Sequence, residues 1–145
     1  MDDRFQLQRF VDAQQPVYAA VLSELRSGRK RSHWMWFIFP QVAGLGHSAT
    51  SRTFAVSSLA EAGAYLAHPT LGPRLRECAA LVGSIEGRSI EQIFGHPDDL
   101  KFHSSMTLFA RAAPQEPIFA SCLQKYFSGQ PDARTLALLS RIVEN

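Results

Sequence analysis

The stretch Arg26-Ser27-Gly28-Arg29-Lys30-Arg31-Ser32-His33-Trp34-Met35-Trp36-Phe37-Ile38-Phe39-Pro40 carries a cationic loop straight into an unbroken aromatic and aliphatic block. Both tryptophans of the chain stand in it. Read as a strand, the block would seed a sheet; read as a helix, it leaves the whole chain helical. Trp, Phe and Ile favour strands, and a run this brief has too little period of its own to decide. Its surroundings decide instead. Gly28 closes the segment before it, Ser32 is placed to cap a helix from His33 to Phe39, and the segments around it have helical spacing, so helix is the reading adopted.

Toward the N-terminus, Leu7, Phe10 and Val11 share one side of a segment from Phe5 to Gln14. Pro16 then opens a second helix whose stripe is Val17, Val21, Leu22 and Leu25. On the other side, Pro40 to Ser57 is a long polar connection holding Gly44, Gly46, His47, Ser48 and Ser51, with at most a turn of helix; long connections in compact domains are often functional. Ser58-Leu59-Ala60-Glu61 reads as a capping box, the glutamate reaching back to the cap's own N–H, and opens a helix to Ala67. Leu71, Leu75, Cys78, Val82 and Ile85 stripe the next helix, which stops at Gly87, and Ser89-Ile90-Glu91-Gln92 is a second capping box before a short turn.

Asp98 and Asp99 stand at the positive end of a helix from Asp98 to Ala112, with Phe102, Met106 and Phe109 inward. Ile118, Cys122, Leu123, Tyr126 and Phe127 stripe a helix ending at Gly129, and Asp132 caps a last one holding Leu136, Leu139 and Val143. There is no repeat, low-complexity segment or dividing linker. The expectation is one all-α domain over residues 1–145, of about seven or eight helices, with the aromatic block at its centre.

Composition narrows the function classes. At 145 residues and 46% hydrophobic, the chain suits one core. A net charge of +2 is far from the dense basic faces of nucleic-acid binders, so no specific nucleic-acid binding is expected and charge acts only in patches. Met1 is followed by Asp2, Asp3 and Arg4, and no run approaches the roughly 18 apolar residues of a membrane span, so a cytoplasmic protein without a membrane partner is expected. Cys78 and Cys122 lie among apolar neighbours at helical spacing and read as buried small hydrophobes, not a disulfide or a catalytic thiol.

Several groups are candidates for ligand chemistry, each beside a plainer reading. Trp34 or Trp36 offers a stacking face, although an apolar-all-round block must be mostly core, so at most one faces a cleft. Arg29, Lys30 and Arg31, with His33, either hold a phosphate or carboxylate or form a solvated loop. Lys101, Ser104 and Ser105 fall near one helix face, marking either a ligand contact or a tight helix crossing. The H-E-x-x-H, G-x-S-x-G, P-loop and G-x-G-x-x-G signatures are missing, so no metal or cofactor is expected. Any enzymatic chemistry would be metal-independent acid/base work, such as hydrolysis of an N-glycosidic or ADP-ribose-type substrate. Asp99 and His103, one helical turn apart, are the catalytic candidates, against the plainer pair of a capping acid and a surface histidine.

The leading reading is a cleft between the basic-aromatic loop and the Lys101–Ser105 helix for a small anionic, nucleotide-like metabolite. The rival is a non-enzymatic protein-interaction domain using the basic loop. The strings Leu7-Gln8-Arg9-Phe10, Gly28-Arg29-Lys30, Ser32-His33-Trp34-Met35-Trp36-Phe37-Ile38-Phe39-Pro40-Gln41, Tyr65-Leu66-Ala67-His68-Pro69 and Asp99-Leu100-Lys101-Phe102-His103-Ser104-Ser105-Met106 resemble the bacterial domain-of-unknown-function 1810 family. The resemblance spans almost the whole chain and implies a single helical domain without an established activity or oligomeric state. The calpastatin label carried by some members does not suit a packed, 46% hydrophobic chain, because calpastatin segments are disordered before binding. A looser pattern from Asp99 to Leu139 is similar to helical proteins that process ADP-ribose or riboflavin-pathway nucleosides, and transfers no catalytic residue.

Overall fold

The computed structural model of the protein describes residues 3–143. Ten helices follow one another among them: α1 (Gln8–Gln14), α2 (Tyr18–Arg26), α3 (Met35–Ile38), α4 (Ala49–Thr53), α5 (Leu59–Ala67), α6 (Leu71–Ser84), α7 (Ile90–Phe94), α8 (Asp98–Ala112), α9 (Pro117–Phe127) and α10 (Ala133–Val143). The all-helical class is as expected, but the count exceeds seven or eight because two segments expected only as turns form short helices of 5 residues each, α4 and α7, while α3 is 4 residues long, shorter than the expected helix from His33 to Phe39. No strand occurs among the described residues; an isolated parallel bridge joins Val42 to Val56. None of the described helices is long and apolar enough to cross a membrane.

Helix α8 is the axis of the core, packed against α5, α7, α9 and α10. Its Phe102, Met106, Leu108 and Phe109 are fully buried. The aromatic block reaches the same core, since Trp34, Met35, Ile38 and Phe39 are all buried. Phe39 and Phe94 meet Phe102 with ring centroids 5.0 Å away in each case, one edge-on and one stacked, which ties α3 and α7 to α8. Cys78 and Cys122 are buried, and burial pushes both thiols up to about 12, well away from the thiolate form.

The predicted caps differ in detail. Ser89 and Gln92 form the full reciprocal box, with Gln92 N donating to Ser89 Oγ at 3.1 Å and Ser89 N to Gln92 Oε1 at 2.8 Å. Ser58 Oγ accepts from Glu61 N, yet the Glu61 carboxylate passes the cap by and takes Ser57 N and Oγ instead, because Arg9 draws its other oxygen in the same direction. Ser32 does not cap α3, which begins only at Met35; its hydroxyl is used by Glu24. Asp132 Oδ2 accepts from Thr135 N at 3.0 Å and so caps α10, which buries Leu139, while the side chain of Val143 lies outside the described residues.

Two helix glycines have opposite surroundings. A Cβ on Gly72 would stand 2.1 Å from the Leu66 carbonyl oxygen, whereas one on Gly63 would meet nothing within 4 Å. Gly72→Ala is therefore expected to destabilise by about 1–3 kcal/mol through forced backbone movement. Gly63→Ala is expected to stabilise by about 0.5–1 kcal/mol through lower unfolded-chain entropy. Urea unfolding of the two variants checks both signs.

Candidate functional site

The basic loop is built around an anion, and that anion is the protein's own. Glu24 projects from α2 into the turn of the loop, where Arg31 N at 2.6 Å, Ser32 N at 3.0 Å, Ser32 Oγ at 2.5 Å and Trp34 Nε1 at 2.9 Å all donate to its carboxylate. Only 9% of Glu24 is exposed. Burial alone would raise its pKa, but the four donors outweigh it and hold the carboxyl down to about 2. The loop's amides thus face inward, and Trp34, 0% exposed, is a core residue that also anchors the loop.

The cations of the loop divide. Lys30 is drawn in, its side chain 8% exposed and its Nζ 2.9 Å from Asp98 Oδ2, while its backbone N–H donates to the Ile93 carbonyl. Asp98 Oδ1 takes Lys101 Nζ at 3.0 Å. Burial works against the Asp98 carboxylate, yet hydrogen bonds from the two lysines hold its pKa below the usual value. Lys30 Nζ lies 5.2 Å from the Trp34 ring centroid and Lys101 Nζ 4.5 Å from that of Trp36. The order Trp34, Lys30, Asp98, Lys101, Trp36 is one continuous row of alternating ring, cation and anion. Arg29, Arg31 and His33 remain exposed outside it.

Trp36 is half-buried and forms one wall of a cleft of about 180 Å³. The other walls come from the long connection, through Gly44, Gly46, Ser51, Arg52, Phe54 and Ala55. That connection is pinned where it leaves and returns: Ala43 N donates to Val56 O and Val56 N to Gln41 O, each at 2.8 Å, closing an Ω-like loop around α4. Arg9 locks the returning side, with Nε donating to Thr53 O at 2.7 Å and Nη2 to Ala55 O at 2.8 Å and Glu61 Oε2 at 2.9 Å. Two glycines set its shape. Gly44 has φ of +105° and faces Leu138 of α10, and a Cβ on Gly46 would lie 2.4 Å from Ser51 Cβ.

Of the residues singled out in the sequence, Trp36 lines this cleft and Lys101 sits against its ring. Ser104 and Ser105 are buried on the inner side of α8; Ser104 shares a hydrogen bond of 2.9 Å with Thr135, and Ser105 Oγ has no partner among the described residues. Asp99 and His103 are each engaged elsewhere. Asp99 Oδ1 lies 3.0 Å from His96 Nδ1, while His103 stacks on Phe127 with centroids 3.9 Å apart and its Nε2 is 2.8 Å from the Gln130 carbonyl oxygen. No group of three or more metal-ligating side chains converges among the described residues.

The chain and its fold have known relatives. The sequence profile described as a protein of unknown function, DUF1810, matches residues 4–139. The chain belongs to the DUF1810 family. The crystal structure of the conserved hypothetical protein Rv1873 from Mycobacterium tuberculosis is 59% identical to it, with a TM-score of 0.94 over 95% of this chain and 99% of that one. No curated protein matches. This DUF1810 member therefore shares its fold with a solved relative that is itself described as a conserved hypothetical protein.

The residues that build this candidate site and its surroundings and were not singled out in the sequence are Glu24, Arg9, Gln14 and Arg52. Glu24 did leave a signal, since it stands three positions after Val21 and seven after Val17, a carboxylate on an apolar stripe. Gln14 left a weaker one as a buried amide at the end of α1, where its Nε2 donates to the Phe37 carbonyl at 2.6 Å and its Oε1 accepts from Arg74. Arg9 and Arg52 left none, because what distinguishes them is the loop they meet.

Glu24 makes acid stability predictable. Its folded pKa of about 2 lies below the ordinary 4.5, so its contribution is complete above about pH 4.5 and is lost as pH falls toward 2. The shift corresponds to about 3 kcal/mol. Chemical denaturation of the wild type between pH 7 and pH 2 is expected to show that loss. Glu24→Gln should be destabilised by a similar amount at pH 7 and show a correspondingly shallower fall in acid.

Proposed function

We propose that the Trp36 cleft binds a small anionic, nucleotide-like metabolite, a planar ring stacking on the indole and an anionic group meeting Arg52. The observation that carries this reading is the pairing of the half-buried tryptophan with an arginine that has no ion-pair partner among the described residues, both lining one cleft. Arg9, Arg74 and Arg76, by contrast, are engaged by other side chains.

Volume limits what enters. Ligand sites for drug-sized molecules run from about 300 to 1,000 Å³, whereas a cavity of about 150 Å³ accepts a benzene ring. At about 180 Å³ the cleft suits one ring, with the remainder of the ligand on the open rim beside Arg52. A larger hollow of about 430 Å³ also presents Arg26 and Arg88, but it lies at the carbonyl ends of α2 and α6, where the helix dipoles oppose an anion. Another of about 330 Å³, between α8, α9 and α10, is lined mainly by apolar groups with Arg111 alone as a cation. The proposal is one of binding, since no carboxylate or imidazole is among the residues lining the Trp36 cleft.

A second reading, a protein-interaction surface, draws on Arg29 and Arg31, which are exposed and have no ion-pair partner among the described residues. Mutation separates the two. A thermal-shift screen with AMP, ADP-ribose and ribose 5-phosphate should raise the melting temperature with at least one probe, a ligand at 100 times its Kd adding about 2.7 kcal/mol. Arg52→Ala should weaken that probe by about tenfold or more, the loss of a charge-assisted hydrogen bond, without lowering the unliganded melting temperature. Arg29→Ala with Arg31→Ala should leave probe binding intact. A well-folded protein unshifted by all three probes would overturn the cleft reading, and loss of an acidic protein partner with the double variant would favour the other.

A further inference from the structure

The stacking face of Trp36 is electrostatically committed before any ligand arrives. Lys101 Nζ lies 4.5 Å from its ring centroid, inside the distance of about 6 Å at which an ammonium is drawn to an indole face. The ammonium is held there. Asp98 Oδ1 takes it at 3.0 Å, and the other oxygen of the same carboxylate is occupied by Lys30 at 2.9 Å. The Lys101 side chain is 21% exposed and that of Asp98 18%, so water screens the pair only in part. Lys101 is not among the residues lining the cleft, so it acts on a bound ring through its field and through the indole it lies against, not by contact.

An indole face attracts cations because its π cloud is negative, and the cloud is shared between the two faces. A cation fixed on one face leaves the other less negative, and its own field also reaches a ring stacked beyond the indole. Lys30, Asp98 and Lys101 together carry one net positive charge, and Arg52 on the opposite wall adds another. We infer that this cleft selects its ring by charge: a neutral or anionic planar heterocycle carrying an anionic group is accepted, and a cationic ring of the same shape is rejected. Lys101 is the residue that sets this specificity, and Asp98 positions it. An indole without such a cation behind it has the opposite preference, since its face favours positive charge. The inference rests on the stacking reading proposed above and adds to it the class of ring.

At a Lys101-to-ligand separation of roughly 8 Å and an effective dielectric of about 20, the repulsion of one ring charge corresponds to about thirtyfold in affinity, reduced toward tenfold by the salt and water that reach the pair. The experiment compares three probes at pH 7: AMP, its N6-methyl derivative, which is methylated but neutral, and its 1-methyl derivative, which is methylated and cationic. Quenching of tryptophan emission reports the stacking, because Trp34 is buried while Trp36 faces the cleft, and calorimetry supplies Kd. AMP and N6-methyl-AMP are expected to bind alike, and 1-methyl-AMP about tenfold more weakly. Lys101→Met, which keeps an unbranched side chain and removes the charge, should bring the cationic probe level with the others or ahead of them.

Equal or tighter binding of 1-methyl-AMP by the wild type overturns the inference. So does a preference that persists in Lys101→Met, which would make the discrimination one of shape, as would rejection of both methylated probes by the wild type. The three-probe comparison on the wild type decides the matter even if the variant fails to fold. Failure of all three probes to bind a folded wild type overturns this inference, and removes the stacking reading as well if ADP-ribose also fails to bind; binding without charge preference removes only this inference.

Discussion

Much of the molecule's shape depends on a single carboxylate taken out of water. Glu24 is buried, and a buried carboxylate is tolerated only if its lone pairs are filled. It is filled by the backbone of the basic loop, by Ser32 and by the indole of Trp34. That choice fixes the direction in which the chain enters α3, seats Trp34 among Phe39 and Phe94, and sends Lys30 toward Asp98. The cationic run is thus partly structural. Its amides solvate an internal anion, one of its cations neutralises a second, and only its arginines and histidine remain at the surface.

The second loop obeys the same rule with the partners exchanged. Glu61 is buried too, and its two oxygens are divided between Ser57 and Arg9. Arg9 spends its remaining donors on carbonyls at both ends of the region it clamps, those of Phe5, Gln6, Thr53 and Ala55, while its guanidinium lies 4.4 Å over Phe10. Truncating Arg9 strands the buried Glu61 carboxylate, which is why this contact holds the loop more firmly than a surface ion pair does. The cleft lies between two clamped segments, with Trp36 supplied by one and Arg52 by the other.

The sequence was most legible where structure is local. Helix α8 begins and ends at the residues expected from its acidic first turn and its stripe, and the Ser89–Gln92 box formed in full, because a helix and its cap are decided within one or two turns. The Ser58 box was legible only in half, since Glu61 had a better offer from Arg9, which stands 52 positions earlier. Ser32 has the oxygen a helix cap needs as acceptor, but its hydroxyl is turned to donate to Glu24 instead. The candidate site was readable as a list of residue types around the tryptophans. Which tryptophan is sealed and which faces a cleft was not, since that depends on where α8 places Lys101 and where the Ω-like loop returns. Those placements are products of long-range packing.

The reach of the Arg9 and Gln14 side chains has a consequence for the order in which the chain assembles. Arg9 is joined to residues 44, 46 and 52 positions away, and Gln14 to one 51 positions away. A helix of seven residues such as α1 is too short to persist alone in water, where isolated helices below about 12–15 residues are marginal. Its packing on α3 and the bond from Gln14 to the Phe37 carbonyl need only the segments that follow closely, but its bonds to Glu61 and Tyr65 wait until α5 has been made and has folded back. Helix α1 is therefore completed only after segments synthesised later, and the molecule carries the slow, non-local closures more often associated with sheets. Until α5 arrives, the side of α1 that meets Glu61 and Tyr65 stays uncovered, and the nascent chain is open there to aggregation and to chaperones.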